Sequence, residues 1–521
     1  MGKPVLEPVK LGNVFVDGEA VRVGANVRGG AAWSLRDVAG DQVARGRKAP
    51  GEGEIRLSLP PGERGHYRLS VTADGGGEAA TSLAVLSPFD LGAVADSPLG
   101  VCTHFGHLRG PDTDLDAPPK ESHDAIPLLG LGGFKTHRDE LTWKRTEPVK
   151  GRCVFPHAHG RHMARCGEHA VDSLVILDYG NKNYDGGLTP YTDEGLDGFA
   201  NYARQIVRRY GRQIKEVEVW NEFNGSFSKG PAAKRPEAYM RLLERTYRAV
   251  KAERPDLKVV GPAAVTLPYG WLEQLFSLGA LRYLDAVSVH PYIYPRQPDT
   301  ARDGLDSLLG RVHETVRRHN GGVTKPLQLT EIGWPTHRGL TQPGGVNVRE
   351  QARYAVRALV MALSAGVERY FWYNLVSSGS DPAKREHNFG LVRHPDDPRG
   401  PYTPKPAYVA LAVAARELSG ARFVGREGLP DPLYSYLFER GGEPLRVMWA
   451  AKRGGQADGA EVPLRAGGPL TVTDLYGKVR RLEPGGRDAL PLSGSPVYVA
   501  GPAEVGTPSA GLLGTLRRLF G

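Results

Sequence analysis

Short runs of alternating polar and apolar residues fill the first part of the chain, residues 1–96. Such runs predict strands with one buried face, and glycine- and proline-rich turns separate them. They occupy residues 14–16, 21–23, 55–59 and 67–71. Because the runs in this part are all strand-like, we expect an N-terminal β-sandwich domain over residues 1–96.

Between residues 97 and 419, short apolar runs alternate with helical stretches, which is the pattern of repeated βα units. Helical periodicity is clear over residues 239–253 and 351–364. The strand candidates occupy residues 100–103, 134–137, 174–177, 217–220, 258–261, 286–289, 327–330 and 369–372. These βα units predict the α/β fold class, with a catalytic (β/α)8 TIM barrel over residues 97–419.

The strand pattern returns after a helical run at residues 407–418. The new strand candidates occupy residues 434–438, 445–449, 470–473 and 497–499. They predict a second, C-terminal β-sandwich-like domain over residues 420–505. Residues 506–521 are expected to form a tail, although residues 511–521 also fit a short amphipathic helix.

Two of the predicted barrel strands end in a glutamate. Strand four ends in Trp220-Asn221-Glu222, and strand seven ends in Thr330-Glu331. Barrel chemistry belongs at the carboxyl ends of the strands, so these side chains can face each other across the mouth. One such glutamate is often only a loop residue, but the pair meets a specific need. Cleavage of a glycosidic bond requires an acid that protonates the leaving oxygen and a carboxylate that stabilises an oxocarbenium-like centre.

The sequences around both glutamates resemble a known family. Val219-Trp220-Asn221-Glu222 and Leu329-Thr330-Glu331-Ile332-Gly333-Trp334 are similar to the two catalytic strands of clan A glycoside hydrolases, most of all to glycoside hydrolase family 39. That family includes β-xylosidases and exopolysaccharide endoglycosidases. The resemblance implies a retaining hydrolase of β-glycosidic bonds, with Glu222 as acid/base, Asn221 on the sugar 2-hydroxyl and Glu331 as nucleophile. Family members often carry proline after the acid/base, where this chain has Phe223-Asn224.

Other predicted strand ends carry residues suited to hold a sugar or a carboxylate. Arg138 can donate a charge-assisted hydrogen bond to Glu331, the alternative being a salt bridge with an acidic neighbour. Trp372 is predicted to stack on a sugar face, the alternative being a core tryptophan. The remaining substrate-binding candidates are His290, Tyr292, Tyr179, Asn181, Trp334, Trp143 and His104.

Composition and charge exclude some classes of protein. The formal net charge is +9, but the densest basic clusters lie on helical patterns and no nucleic-acid-binding module accompanies them, so we expect no nucleic-acid partner. No apolar run is long enough for a membrane span. Three cysteines cannot form a disulfide framework. The expected partner is a poly- or oligosaccharide, and the oligomeric state stays open.

The N-terminus has no signal-peptide pattern. The chain is therefore expected to be cytoplasmic, or periplasmic or secreted if a signal was removed before this numbering begins.

Two rival functions stay open. One is a non-catalytic carbohydrate-binding protein on a glycosidase-like barrel. The other is a metal-dependent barrel hydrolase, suggested by the metal-ligand residue types at His157, His159, His162, Cys166 and His169. Because that segment follows Phe155-Pro156 and leads into a helix, away from the strand ends, we expect no metal and no cofactor.

Overall fold

The computed structural model describes residues 3–299, 304–339, 344–452, 455–456, 460–483 and 487–506. Its architecture confirms the predicted fold class, an α/β barrel between two regions of largely antiparallel sheet. Residues 507–521 lie outside the described residues, and with them most of the predicted tail and the alternative helix at residues 511–521.

Two sheets form the N-terminal part, with strand orders β1-β3-β6 and β2-β8-β7-β4-β5. The strands are β1 (Val5–Pro8), β2 (Val14–Val16), β3 (Val21–Asn26), β4 (Ala31–Asp37), β5 (Gln42–Lys48), β6 (Glu54–Leu57), β7 (Gly65–Ala73) and β8 (Glu78–Leu86). Inward side chains from both sheets, among them Val23, Ile55, Leu69 and Leu83, form one buried core. This is the outcome expected for strands of alternating polarity.

The barrel is closed by parallel strands in sequence order, and β16 pairs back onto β9. All eight predicted strands are confirmed, with differences only at their ends. The strands are β9 (Leu99–Cys102), β10 (Thr136–Glu140), β11 (Asp172–Leu177), β12 (Ile214–Val219), β13 (Lys258–Val265), β14 (Ala286–His290), β15 (Leu327–Ile332) and β16 (Val367–Trp372).

Helices cover the outside of the barrel. They are α1 (Pro127–Gly132), α2 (Trp143–Thr146), α3 (His157–Glu168), α4 (Asp193–Tyr210), α5 (Pro236–Glu253), α6 (Tyr269–Ser277), α7 (Leu305–His319), α8 (Val348–Ser364) and α9 (Pro406–Leu418). Helix α8 begins with a capping box, in which Asn347 and Glu350 bond each other's backbone amides.

Along each barrel strand, alternate residues face the helices and the barrel interior. Val219 of β12 packs outward in the large core beneath the helices, whereas Glu218 points inward to Arg138. On β16, Trp372 packs outward, and its neighbour Phe371 belongs to a small cluster inside the barrel. The alternation decides which strand residues can reach the barrel mouth.

The C-terminal part holds two further sheets. One has the order β17-β18-β19-β25-β22-β23, with β20 beside β19, and the other has the order β24-β21-β26. The strands are β17 (Arg422–Arg426), β18 (Leu433–Arg440), β19 (Glu443–Lys452), β20 (Gly455–Gln456), β21 (Ala460–Ala466), β22 (Leu470–Thr473), β23 (Val479–Leu482), β24 (Arg487–Leu492), β25 (Val497–Ala500) and β26 (Ala503–Val505).

A buried carboxylate ties this part to the barrel. Asp299 accepts hydrogen bonds from Arg357 Nη1 at 3.2 Å and from Trp449 Nε1 at 2.7 Å. Within the described ranges, no helix is both long and apolar enough to cross a membrane.

Candidate active site

The carboxyl end of β12 turns sharply to place Asn221 and Glu222 over the barrel mouth. Trp220 and Glu222 have φ values of 66° and 48°, in the left-handed region that side chains rarely adopt. The Glu222 amide donates to the Ala263 carbonyl at 3.1 Å, and Trp220 is buried in the core. Each such residue costs on the order of 1–3 kcal/mol, so the surrounding packing must hold the turn.

Both carboxylate oxygens of Glu331 accept a hydrogen bond. Arg138 Nη1 donates to Oε1 at 2.7 Å, and the Tyr292 hydroxyl donates to Oε2 at 2.7 Å. The pairing register between β15 and β16 shifts between Leu329 and Ile332. Such an irregularity re-aims a side chain at the end of a strand, and here it accompanies the inward position of Glu331.

His290 lies between the two carboxylates. Its Nδ1 is 2.9 Å from Glu222 Oε1 and 3.7 Å from Glu331 Oε2, and its Nε2 is 3.1 Å from the Thr330 hydroxyl. One oxygen of each carboxylate and one ring nitrogen of His290 lie within 4.8 Å of one another. The two carboxylates therefore approach each other across the mouth at close range.

Arg138 is the central cation of the site. It is 3% exposed, and its guanidinium also donates to Glu218 Oε2 at 2.7 Å and to Asn221 Oδ1 at 2.9 Å. Burial alone would lower its pKa, but the charges of Glu218 and Glu331 raise that pKa well above its usual value. Arg138 is thus a permanent charge that holds three acceptors in place.

Glu331 is held as a carboxylate. Burial raises its pKa, but the nearby charges of His290 and Arg138 and the hydrogen bonds from Tyr292 and Arg138 outweigh burial, so the net pKa is lowered. The Glu222 carboxylate has a different environment, because its one hydrogen-bond partner among the described residues is His290. Two carboxylates in unlike surroundings are suited to two different roles.

A second chain of polar groups leads from Asn221 towards the side of the mouth. Asn221 Nδ2 donates to the Tyr179 hydroxyl at 3.2 Å, and that hydroxyl donates to Glu140 Oε1 at 3.4 Å. His107 Nε2 contacts the other oxygen of Glu140. These groups present further hydrogen-bond donors and acceptors beside the carboxylate pair.

The three tryptophan candidates do not lie in the mouth. Trp143, Trp334 and Trp372 are each 0% exposed. The rings of Trp334 and Trp372 stack on each other at 6.1 Å between centroids, and the Trp143 indole donates to Glu147 at 2.7 Å. None of them offers a ring face to a sugar, so we reassign all three to the core, the alternative role considered for Trp372.

Two other candidates take up neighbouring positions. Asn181 is buried and donates to the Glu147 carbonyl at 2.8 Å, which shapes the loop after β11 rather than facing a ligand. The His104 ring lies against His107 and Tyr373, at 4.9 and 5.9 Å between centroids. Burial, and then repulsion from His107, lowers the pKa of His104.

Several residues of the site were not among the predicted ones. Glu218, Glu140 and His107 complete the polar network, and the strand alternation around Arg138 and Glu222 is the signal that points to the first two. Phe227 stacks on Tyr179 at 5.5 Å between centroids and is 43% exposed, which makes it an aromatic face at this edge.

The residues that could hold a metal ion are the carboxylate pair and the histidine between them. Glu222, His290 and Glu331 form the one such group within the described ranges. Arg138 already neutralises Glu331, which disfavours a divalent cation there. The segment that suggested the rival metal site spans the whole of α3 and ends at its C-cap, His169, and His159, His162 and Cys166 are buried in it.

Comparison with known proteins adds evidence on the fold. No protein-family model matches the sequence, and no curated protein sequence matches it either. Among solved structures, a family 39 glycoside hydrolase from the gut symbiont Bacteroides cellulosilyticus WH2 is similar over 96% of this chain and 100% of its own, with 24% identity and a TM-score of 0.77.

Two further structures are similar over most of the chain. A GH39 enzyme from Xanthomonas axonopodis pv. citri covers 81% of this chain and 95% of its own, with 17% identity and a TM-score of 0.55. A monomeric beta-xylosidase from Caulobacter crescentus CB15 covers 79% and 96%, with 15% identity and a TM-score of 0.55. At these identities the shared property is the fold, and it is the fold that the sequence motifs imply.

Proposed function

We propose that this chain is a glycoside hydrolase that cleaves a β-glycosidic bond of a poly- or oligosaccharide with retention of configuration. The observation that carries the proposal is the close approach, within 4.8 Å, of carboxylate oxygens from Glu222 and Glu331. Retaining enzymes need their carboxyl groups about 5–5.5 Å apart, whereas inverting enzymes need about 6.5–9.5 Å to admit a water molecule. The likeness in fold to family 39 glycoside hydrolases supports the same class.

Glu331 is the proposed nucleophile. Arg138 and Tyr292 keep its carboxylate ionised and oriented, so one oxygen is available to attack the anomeric carbon. Glu222 is the proposed acid/base, and His290 fixes its position. Asn221, held by Arg138 and Tyr179, is placed to bind the sugar 2-hydroxyl.

The proposed reaction has two steps. First, Glu331 attacks the anomeric carbon while Glu222 gives its proton to the leaving oxygen, which forms a glycosyl-enzyme ester and releases the aglycone. Then Glu222 takes a proton from water, the water oxygen attacks the anomeric carbon and the ester bond to Glu331 breaks. Two inversions give net retention.

The test uses substitutions at both glutamates and a matched surface control. Glu331→Ala should abolish turnover of β-linked substrates, and Glu237→Ala on exposed α5 should leave it unchanged. Glu222→Ala should slow the cleavage of poor leaving groups far more than that of aryl glycosides, because only poor leaving groups need the proton.

Azide distinguishes the two roles. It should rescue Glu222→Ala to a glycosyl azide of retained configuration and Glu331→Ala to one of inverted configuration, since it replaces water in one variant and the carboxylate in the other. Wild-type turnover by Glu331→Ala would contradict the proposal. Loss of wild-type activity with a chelator, restored by zinc, would favour the rival metal-dependent hydrolase instead.

A further inference from the structure

A basic cavity lies apart from the carboxylate pair, beside the loops that follow β15 and β16. It has a volume of about 340 Å³. Its arginine and lysine lining residues are Arg338, Arg393, Arg399 and Lys405, and one carboxylate, Asp397, accompanies them. We define these five residues as the basic cavity. It adjoins a wider cleft of about 970 Å³ that reaches the N-terminal sheet and is lined by Arg68, Arg338, Arg393 and Arg399.

Two cations of the basic cavity are buried without a carboxylate in direct contact, although the charge of Asp397 acts on both and offsets part of the repulsion between the cations. Arg393 is 6% exposed and Lys405 is 5% exposed. Asp397 is bound to Arg399 by two hydrogen bonds of 2.9 Å, and no carboxylate within the described ranges forms an ion pair with Arg393 or Lys405. Burying a charge without a partner is costly, so two together need an explanation.

The protein groups around these cations are neutral. Arg393 Nη1 donates to the Ser82 hydroxyl at 2.6 Å and to the Pro404 carbonyl at 2.7 Å, while its Nε is buried with no partner. Lys405 Nζ donates to the Asn388 carbonyl at 2.8 Å and to the Thr336 hydroxyl at 3.1 Å. Neutral acceptors orient a cation but leave its charge uncompensated.

The cations also repel one another. Burial, and then repulsion from Arg393 and Arg399, lowers the pKa of Lys405. Burial, and then repulsion from Arg399, lowers the pKa of Arg393 to about 9. Nearby His66 supplies no negative charge, and burial and then Arg393 lower its pKa to about 3, which keeps it neutral. A bound anion would offset the repulsion and would supply the partner that these cations lack.

We propose that the basic cavity binds a tetrahedral oxyanion, a phosphate or sulfate group, either as the free ion or carried on a sugar. The guanidinium groups of Arg338, Arg393 and Arg399 supply forked donors for such oxygens, and Lys405 supplies a point charge. The site extends beyond the proposed hydrolase activity, because its residues are separate from the glutamates and their partners. His387 and Asn388 also line the cavity, and the next residue, Phe389, packs on Tyr292 and Tyr373.

The test titrates inorganic phosphate and inorganic sulfate into the full-length protein by calorimetry, with sodium chloride holding ionic strength constant. We expect one saturable site per chain. Lys405→Met should abolish binding, and Arg338→Gln, at an exposed position, should weaken it about 10–100-fold, as the loss of a charge-assisted hydrogen bond implies. Arg204→Gln on α4 is the matched control, since its side chain bonds only Asn201 among the described residues, and it should bind as the wild type does.

Glucose 6-sulfate distinguishes the two sources of the oxyanion. Competition with phosphate would assign the site to a group carried on a sugar, and binding of the inorganic ions alone would assign it to the free ion. Either result supports the site. Absence of binding to the wild type, or equal binding to the wild type, Arg338→Gln and Arg204→Gln, would overturn it. If Lys405→Met does not fold, as circular dichroism would reveal, the comparison of the two arginine variants decides.

Discussion

The barrel mouth and the basic cavity both bury arginine, but they do so in opposite ways. Arg138 lies between the carboxylates of Glu218 and Glu331, so its charge is compensated by the protein itself. Arg393 has a hydroxyl and carbonyls as partners and no carboxylate within the described ranges. The charges at the barrel mouth are balanced without a ligand, while those of the basic cavity are balanced only when an anion binds.

The difference shows how burial and pairing separate a positioning residue from a binding residue. At the mouth, Arg138 fixes the carboxylate that we propose to react, and the sugar needs no charge. In the basic cavity, the positive charge of the lining residues is not balanced by the protein. Variants that remove one charge from each region should therefore have stability effects of opposite sign.

The largest effect is expected from Arg138→Met. The substitution leaves Glu218 and Glu331 buried without their cation, which costs on the order of 3–5 kcal/mol. Denaturant unfolding should show this loss, and hydrolysis should fall at least 100-fold because Glu331 and Asn221 lose their common donor. Arg138→Lys keeps the charge but not the fork, so it should recover stability more than activity. Stability equal to that of the wild type would contradict the paired arrangement.

Tyr292→Phe should have the next largest effect. It removes the donor to Glu331 Oε2, and a hydrogen bond to a charged group is worth about 1.5–3 kcal/mol, so kcat/KM should fall about 10–100-fold. The same loss raises the pKa of Glu331, so the acid limb of the pH profile should move to higher pH. An unchanged acid limb would show that Tyr292 does not act through this carboxylate. Phe389→Leu, which keeps the hydroxyl, is the control.

The pH dependence of stability follows from the same shift. The pKa of Glu331 is lower in the folded chain than the ordinary glutamate value of 4.5. Its contribution to stability is therefore present above about pH 4.5 and is lost as pH falls through the lower, folded-state pKa. Tyr292→Phe should move that loss to higher pH.

Lys405→Met should have a smaller effect and the opposite sign. In phosphate-free and sulfate-free buffer it should raise the free energy of unfolding by about 1–2 kcal/mol, because an apolar residue replaces an uncompensated buried charge. Added phosphate should stabilise the wild type and leave Lys405→Met unchanged, which reduces or reverses the difference. A destabilised variant in anion-free buffer would mean that Lys405 is satisfied by its neutral acceptors alone.

Much of the fold could be predicted from the sequence, and the limits have physical causes. The barrel strands stand out because both of their faces are buried, which gives continuous apolar runs such as the one at 174–177. Strands β5 and β23 escaped prediction because arginine and lysine residues interrupt the alternation of polar and apolar positions in them. Sheet pairing rather than local pattern defines them.

The candidate site, too, could be predicted from the sequence only in part. The two glutamates and Arg138 could be placed by counting strands and reading their ends. The three tryptophan candidates lie in the core, and for Trp372 the cause is that neighbouring residues on a barrel strand face opposite ways. Trp372 packs under the helices, whereas Tyr373, one residue later, faces His104 and Tyr292. A difference of one position along the chain therefore decides whether a side chain lies in the core or at the barrel mouth.

The smallest effect is expected from a substitution at Phe227, the exposed aromatic side chain beside the barrel mouth. Phe227 is exposed, lies flat on Tyr179, and follows the β12 turn that carries Glu222. A sugar stacked on it would gain about 0.5–1.5 kcal/mol. Phe227→Ala should therefore raise KM about 2–10-fold for oligosaccharides and leave kcat unchanged, because the contact lies beside the bond that breaks. Tyr191→Ala, at an exposed aromatic on the loop before α4, is the matched control and should change neither constant. A fall in kcat with KM unchanged would mean that Phe227 acts by positioning Tyr179 and Asn221, which would place it within the polar network of the barrel mouth rather than at a sugar-binding edge.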